Sequence, residues 1–208
     1  MPESEGMPVP GWFSEILKRE LGERVSLSAD QLTRLYEHYA LLERWNQKIS
    51  LTSVEPGEDT VIRHYCESLF FAAHLPNGTS SIADIGSGAG FPGVPIAILK
   101  PDWRVSLVES NQRKSVFLRE STRSLLNVSV IAQRAEDLSS VFSCLVSRAV
   151  NPKAVVALMP RLAPRIGLML SEGHFLDLQS ISHVAWSERI RLPWGDRRIC
   201  AFGVSRGM

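Results

Sequence analysis

The sequence has no apolar run approaching the roughly 20 residues that a membrane-spanning helix requires. Its opening stretch, MPESEGMPVPGWF, has neither a basic start nor an apolar core, so no secretion signal is expected. Cysteine is scarce: Cys66, Cys144 and Cys200 are scattered, odd in number, and form neither a CxxC pair nor a metal-type spacing with histidine. That excludes a disulfide framework and gives no zinc site. A reduced, cytoplasmic setting is expected. Each cysteine sits among apolar residues, where packing is its expected role. Internal repeats and long low-complexity tracts are also missing. Net charge is only +1, so the chain as a whole is neither a polycation nor a polyanion.

What remains is ordinary globular composition: 208 residues, 44% hydrophobic and 22% charged, enough for one full core with a small appendage. The near-neutral total hides an asymmetry. Residues 1–99 carry 7 Lys and Arg against 13 Asp and Glu, net −6, whereas residues 100–208 carry 16 against 9, net +7. A one-sided surface for a polyanion and a scatter of solvated charge both fit that split.

The first part of the chain reads as helical. WFSEILKREL places Trp12, Phe13, Ile16, Leu17 and Leu21 on one face. SADQLTRLYEHYALLERWNQKI opens with a capping box from Ser28 to Gln31, and Leu32, Leu35, Tyr39, Leu42 and Trp45 continue its apolar face. After a break at SLTSVEPGED, a third helix spans DTVIRHYCESLFFAAHL and stops at Pro76, Asn77 and Gly78. From Ser81 the rhythm becomes strand and helix in alternation. SSIADIG, RVSLVES, VSVIAQ, CLVSRAV and RIGLMLS read as strands. VPIAILK, QRKSVFLRESTRSLL and PKAVVALMPRLA read as helices. HVAWSERIRLP and RICAFGVSR flank WGDR, a hairpin turn around Gly195 and Asp196. The alternation predicts an α/β fold with a parallel sheet covered on both faces and an antiparallel strand at one side.

The segment ADIGSGAGFPGVP is the richest in information. Gly86, Gly88, Gly90 and Gly93 follow an apolar strand that ends in an acid, Asp84. Glycines so placed let a ligand approach the backbone at the carboxyl end of a strand. Glu109 closes the next strand about 20 residues on, where a carboxylate can accept from both hydroxyls of a ribose. The same loop could serve NAD or S-adenosylmethionine. Asp84 favours the second, because a buried carboxylate repels a pyrophosphate and suits an ammonium and a sulfonium. In QRAEDL, Ala135 and Glu136 could read an adenine amino group, or Glu136 could simply be an acid at a helix start.

Taken together, LLERWNQKISLTSV, IRHYCES, IADIGSGAGFPGVPIAI, QRAED and VSRAV resemble, in order, the blocks of the ribosomal RNA small subunit methyltransferase G family, across roughly residues 28–170. The resemblance implies a class I, Rossmann-like methyltransferase with a mostly parallel seven-stranded sheet, helices on both faces and an antiparallel C-terminal hairpin. Residues 1–78 would form an N-terminal helical extension packed on a methyltransferase core of residues 79–208. It implies transfer of a methyl group from S-adenosylmethionine to N7 of a guanosine in 16S rRNA. The partner is then that RNA or the small ribosomal subunit, with no metal and no membrane; the oligomeric state is not read from the sequence, and a monomer is the expectation. By motif, Gly86, Phe91, Ala135, Glu136 and Arg148 would contact the cofactor or line its site, with Asp84, Gly88 and Glu109 at general class I positions. One departure stands out. The family usually has a lysine before the glycine that follows strand five, whereas this chain reads Ser171, Glu172, Gly173. A small-molecule methyltransferase and a non-catalytic cofactor- or RNA-binding protein are the competing readings.

Guanine N7 carries a free lone pair, so attack on a sulfonium methyl needs orientation rather than a strong base or a nucleophilic cysteine. The chain has no Pro-Cys nucleophile motif, and Asn151-Pro152 only partly echoes the NPPY type and reads as a turn. Arg148, at the mouth of strand four, could donate to guanine O6, to a phosphate or to the cofactor, or could be a structural ion pair to Asp84 or Glu109. Arg63 and His64 could cap the glycine loop or touch RNA, with a structural role equally open for His64. Asn46 is expected to fix a turn near the cofactor and Trp45 to belong to the core. Arg113, Lys114, Arg119 and Arg123 line one helix, as a solvated face or as RNA phosphate contacts.

Overall fold

A computed structural model describes residues 7–206 apart from positions 188 and 196. The chain opens with α1 (Gly11–Leu21) and α2 (Ala29–Asn46). Ser28 caps α2 through the capping box with Gln31. Phe13, Ile16, Leu17 and Leu21 of α1 are buried, as their spacing predicts, but Trp12 is 41% exposed and packs edge-on against Phe13 and Tyr39 instead. In α2, Leu35, Tyr39 and Leu42 are buried and Leu32 and Trp45 lie half-buried against them.

Helix α3 is continuous but not uniform. It runs as Glu58–Thr60, a π-helical stretch Val61–Cys66, and Glu67–Ala73. Its wider turn has a consequence for the backbone. The Glu67 amide donates to Ile62 and His64 rather than to Arg63 four residues back, so the Arg63 carbonyl is available to a side chain.

The sheet follows. Its strands are β1 (Ser81–Ile85), β2 (Arg104–Val108), β3 (Val128–Ile131), β4 (Cys144–Arg148), β5 (Arg165–Ser171), β6 (Val184–Trp186), β7 (Ile190–Arg191) and β8 (Arg198–Ser205). Spatial order is β3-β2-β1-β4-β5-β8-β6, with β7 also on β8. β1 to β5 are parallel; β8 runs antiparallel to β5. β6 and β7 pair consecutive stretches of β8, so they act as one interrupted strand and the path has seven positions. Gly195 turns the hairpin at φ +94°, where a Cβ would stand 2.5 Å from Arg198 Nη2. Asp196 lies outside the described residues.

Helices α4 (Gly93–Leu99), α5 (Gln112–Ser121), α6 (Pro152–Leu162) and α7 (Glu172–Leu176) complete the layers. α5 ends earlier than its sequence pattern predicts. Thr122 Oγ1 turns back onto the Leu118 carbonyl, the chain leaves the helix, and Leu126 is fully exposed. Arg123 therefore stands beyond the helix, not in line with Arg113 and Arg119. The larger core runs from Phe13 through Tyr65, Phe71 and Phe117 to Phe202, so α1 to α3 share it with one face of the sheet. A second core, around Leu145, Val156, Met159 and Ile166, seats α6 on the opposite face. The order reverses at β1, between β2 and β4, and the crevice at that switch is where a ligand of such a sheet is held.

Candidate active site

The glycine loop leaves β1 and is braced from beneath. Asp84 is fully buried, and its Oδ2 accepts the Gly93 amide at 3.0 Å, tying the strand end to the start of α4. Gly93 has to be glycine here: a Cβ would lie 2.3 Å from Leu107 and 2.6 Å from the Asp84 carboxylate. Asp84 thus sits under the loop and lines neither neighbouring cavity. Burial pushes its carboxyl up to about 7. The folded state then holds a proton that the unfolded chain, with an ordinary value of 3.8, has released. Stability from this group is full below about pH 4 and is lost as pH rises through about 7. In Asp84→Asn, denaturant unfolding should lose that slope, so the variant gains on the wild type by a few kcal/mol between about pH 4 and pH 8. Parallel stability curves for the two proteins would show that Asp84 is not a buried carboxyl of this kind.

Above Asp84, Gly86 and Gly88 adopt φ +73° and +57°. Glu109 stands at the end of β2 with both oxygens held by backbone: Oε2 accepts from Gly88 at 2.9 Å and Oε1 from Asn111 at 2.8 Å. A carboxylate has about four lone-pair sites, so each oxygen keeps one for a further donor. Gly86, Glu109, Ala135 and Glu136 come together around one cavity of about 240 Å³, with Ile85, Val150 and Leu158 as its apolar walls. Glu136 lies in a short 3₁₀ turn, Ala135–Asp137, which Arg161 fastens by donating to the Glu136 carbonyl at 2.8 Å.

A second, larger cavity of about 650 Å³ opens at the ends of β4 and β5. Arg148, Lys153, Arg198, Glu67 and Asp177 give it charge; Met169, Leu170 and Leu192 give it apolar surface. Val150 alone lines both cavities and forms the partition between them. A sharp backbone turn puts it there: Ala149 takes the left-handed conformation, φ +59°, which costs a non-glycine residue about 1–2 kcal/mol. Arg148 and Val150 thereby leave the strand end in different directions. Arg148 Nη1 donates to the Arg63 carbonyl at 2.7 Å, the group that the π-helical turn leaves free. Among the described residues Arg148 makes no ion pair with Asp84 or Glu109.

The remaining expected residues occupy a layer behind the loop. Arg63 contributes its carbonyl, while its side chain is exposed and 4.0 Å from Asp59. His64 is buried, 2.7 Å from Thr52 Oγ1, and stacks on Phe91 with ring centroids 4.7 Å apart. Burial holds His64 down to about 3, so its ring is neutral. Phe91 also meets His38 and Tyr65 edge-on and faces neither cavity. Asn46 Oδ1 accepts from Leu51 and Thr52 at 2.8 and 3.0 Å and so fixes the turn after α2. Ser171 caps α7 and lines the larger cavity; Glu172 pairs with Arg191 at 2.9 Å.

Glu67, Arg198 and Val150 are among the lining residues not singled out from the sequence. Glu67 is hidden inside the apolar run YCESLFF, where an acid without a visible partner was itself a signal. Arg198 becomes relevant only because β8 inserts beside β5. Val150 was inside the quoted VSRAV block but carries no polar group to draw attention. The three cysteines are buried, free and remote from nucleophile chemistry: burial raises every thiol, Cys144 and Cys200 to about 12.

Comparison with known proteins agrees with this arrangement. The family model for rRNA small subunit methyltransferase G (GidB) matches residues 31–178. A protein of that name from Methylobacillus flagellatus is 37% identical over 158 residues, covering 74% of this chain and 75% of the relative. One from Nitrosospira multiformis is 40% identical over 134 residues, 62% of this chain and 61% of the relative. One from Dichelobacter nodosus is 43% identical over 129 residues, 60% and 61%. The chain thus matches only about three fifths of the length of the last two. Among solved structures, the N-methyltransferase NodS from Bradyrhizobium japonicum, in complex with S-adenosylhomocysteine, superposes with a TM-score of 0.58 at 16% identity over 82% of this chain and all of that one. A ribosomal protein L11 methylase from Lactobacillus delbrueckii gives 0.57 at 11% identity, over 75% and 91%. At such identities the structures establish the fold, that of class I methyltransferases.

Proposed function

Because the chain belongs to the rRNA small subunit methyltransferase G family, we propose that it transfers a methyl group from S-adenosylmethionine to N7 of a guanosine in 16S rRNA of the small ribosomal subunit. The observation that carries this reading is the pair of cavities meeting at Val150. The smaller, under the glycine loop and beside Glu109, suits a nucleoside cofactor. The larger, beside Arg148, suits an acceptor base.

The residues around the smaller cavity fit the cofactor. Gly86 leaves no space for a side chain, since a Cβ would stand 2.4 Å from Val150 Cγ2, so bare backbone lines the cavity there. Glu109 is oriented by two amides with lone pairs to spare for ribose hydroxyls, and the Ala135–Glu136 turn offers backbone and carboxylate acceptors for an adenine amino group. When bound, the cofactor supplies a methyl group on a positively charged sulfur. Everything else falls to this chain: excluding water with Val150 and Leu158, and aiming N7 with the groups of the larger cavity. Arg148 is fixed to the helical layer through Arg63 and stays charged at neutral pH, so it acts by position and charge rather than as a base. No cysteine and no general base is needed, which matches the thiols sealed in the core.

We read residues 79–208 as the catalytic core and 1–78 as a helical layer that braces its loop, in a cytoplasmic and monomeric protein. Among the described residues no helix is long and apolar enough to cross a membrane. The reading is tested by incubating the protein with small ribosomal subunits and methyl-labelled S-adenosylmethionine, then digesting the 16S rRNA to nucleosides. Label in 7-methylguanosine supports it. Label confined to another nucleoside, or to a small molecule in a cell extract, refutes it.

A further inference from the structure

The floor of the larger cavity holds a charge arrangement that the methyl-transfer reading does not use. Glu67 is 1% exposed yet lines the cavity, directly after the π-helical stretch of α3. Its Oε1 stands 2.6 Å from Arg198 Nη1, and Arg198 is held in turn by donating from Nη2 to the Trp194 carbonyl at 2.7 Å. Arg148, fixed to the Arg63 carbonyl, lines the same cavity. Two guanidiniums and the Glu67 carboxylate therefore face a space walled by Met169, Leu170, Leu192 and Val150, with Lys153, His174 and Asp177 also on its lining. Burying a carboxylate is costly, and one kept at a cavity floor with lone pairs left over is a candidate for ligand recognition.

The chemistry of the acceptor limits what that ligand edge can be. N7 must face the Val150 partition, so the adjoining Watson–Crick edge of the purine, which meets the N7 edge at O6, turns toward the part of the larger cavity away from the cofactor cavity. In guanine that edge presents O6 as acceptor and N1–H and N2–H as donors. A flipped-out base is read along this edge, with apolar side chains against its faces. Guanidiniums supply the donors for O6 and a carboxylate accepts from N1–H and N2–H. Adenine offers the reverse at N1, a lone pair facing the carboxylate, and leaves the buried oxygens unsatisfied.

We propose that Glu67, held by Arg198, is the residue that selects guanine, by accepting from the N1–H and N2–H of the acceptor base in the larger cavity. This rests on the methyltransferase reading above. In it Glu67 touches substrate and sets specificity, and Arg198 positions Glu67. The π-helical turn serves both sides of the base at once: it frees the Arg63 carbonyl that fixes Arg148 and sets Glu67 at the floor.

Methyl NMR of the protein saturated with S-adenosylhomocysteine tests this, using the Met169 methyl as a reporter inside the cavity, assigned through Met169→Leu. Guanosine, inosine and adenosine 5′-monophosphates are titrated in parallel, so that their common phosphate cancels. Inosine lacks only the 2-amino group. The wild type should bind the guanosine ligand about tenfold more tightly than the inosine ligand, and more tightly still than the adenosine ligand. Glu67→Gln should keep its affinity for S-adenosylhomocysteine while the guanosine-to-inosine preference shrinks to within about twofold. Equal wild-type affinity for guanosine and inosine ligands overturns the proposal without any variant, so a misfolded variant does not shelter it. A preference that survives in Glu67→Gln, or an equal response of Met169 to inorganic phosphate alone, overturns it as well. If the wild type binds S-adenosylhomocysteine but shows no base preference, only this inference fails. If it binds no S-adenosylhomocysteine, the methyltransferase reading fails and this inference with it.

Discussion

Arg148→Ala is expected to slow methyl transfer at saturating cofactor by more than about tenfold, a loss of roughly 1.4 kcal/mol of transition-state stabilisation. The guanidinium sits at the end of β4, lines the larger cavity and is tied by Nη1 to the Arg63 carbonyl at 2.7 Å. It holds the β4 end against α3 and leaves its other donors for the incoming base. Alanine removes both functions. Lysine should recover only part of the rate, because a single ammonium cannot keep the carbonyl contact and donate in a second direction with the same rigidity. Single-turnover kinetics with labelled S-adenosylmethionine reads the effect directly. A folded Arg148→Ala protein that transfers methyl at the wild-type rate would make Arg148 merely structural and move the search to Lys153 and the hairpin side of the cavity.

Gly86→Val should have the larger effect on binding, weakening S-adenosylhomocysteine by about a hundredfold. Two costs add. The position is at φ +73°, disfavoured for a side chain by about 1–2 kcal/mol, and the new Cβ would lie 2.4 Å from Val150 Cγ2. Relieving that overlap forces the Val150 partition or the loop away from the shape the cofactor needs, and a loss of about 2.7 kcal/mol of binding free energy is a hundredfold in affinity. Calorimetric titration measures it, with circular dichroism to confirm that the variant is folded. Unchanged affinity in the folded variant would place the cofactor elsewhere than under the glycine loop.

How far the site was legible beforehand depends on the kind of residue. The strand–glycine–helix unit carries its signal in consecutive residues, so Asp84, Gly86 and Glu109 could be placed at the ends of β1 and β2 from spacing alone. What spacing did not reveal is that Asp84 points down onto the Gly93 amide rather than into the cleft. That depends on α4 closing over β1, which is a tertiary fact. Arg148 was recognisable at a strand end, but its partner was not. A carbonyl freed by a π-helical turn leaves no mark in a pattern of apolar residues, and the helix periodicity of DTVIRHYCESLFFAAHL looks the same with or without it. Glu67 and Arg198 meet only because β8 inserts between β5 and β6, bringing together residues more than a hundred positions apart. The early end of α5 was missed for a local reason. Thr122 competes for a main-chain carbonyl and ends the helix within a sequence whose polar residues all tolerate helix.

The N-terminal helices gain a role from the same contacts. His64 stacks on Phe91, and His38 and Tyr65 pack against it edge-on, so the end of the glycine loop is set by α2 and α3 as well as by the tie of Gly93 to Asp84 of the sheet. A methyl-transfer site that depends on orientation more than on acid–base chemistry needs such a support.

The most direct measurement is a map of 7-methylguanosine in 16S rRNA from cells with this gene intact, deleted, and restored as either the wild type or Gly86→Val. One guanosine should be methylated at N7 in the intact strain, unmodified in the deletion, restored by the wild-type gene and left unmodified by Gly86→Val. A 7-methylguanosine pattern identical in the intact and deleted strains would contradict the assignment of this protein as a 16S rRNA guanine-N7 methyltransferase.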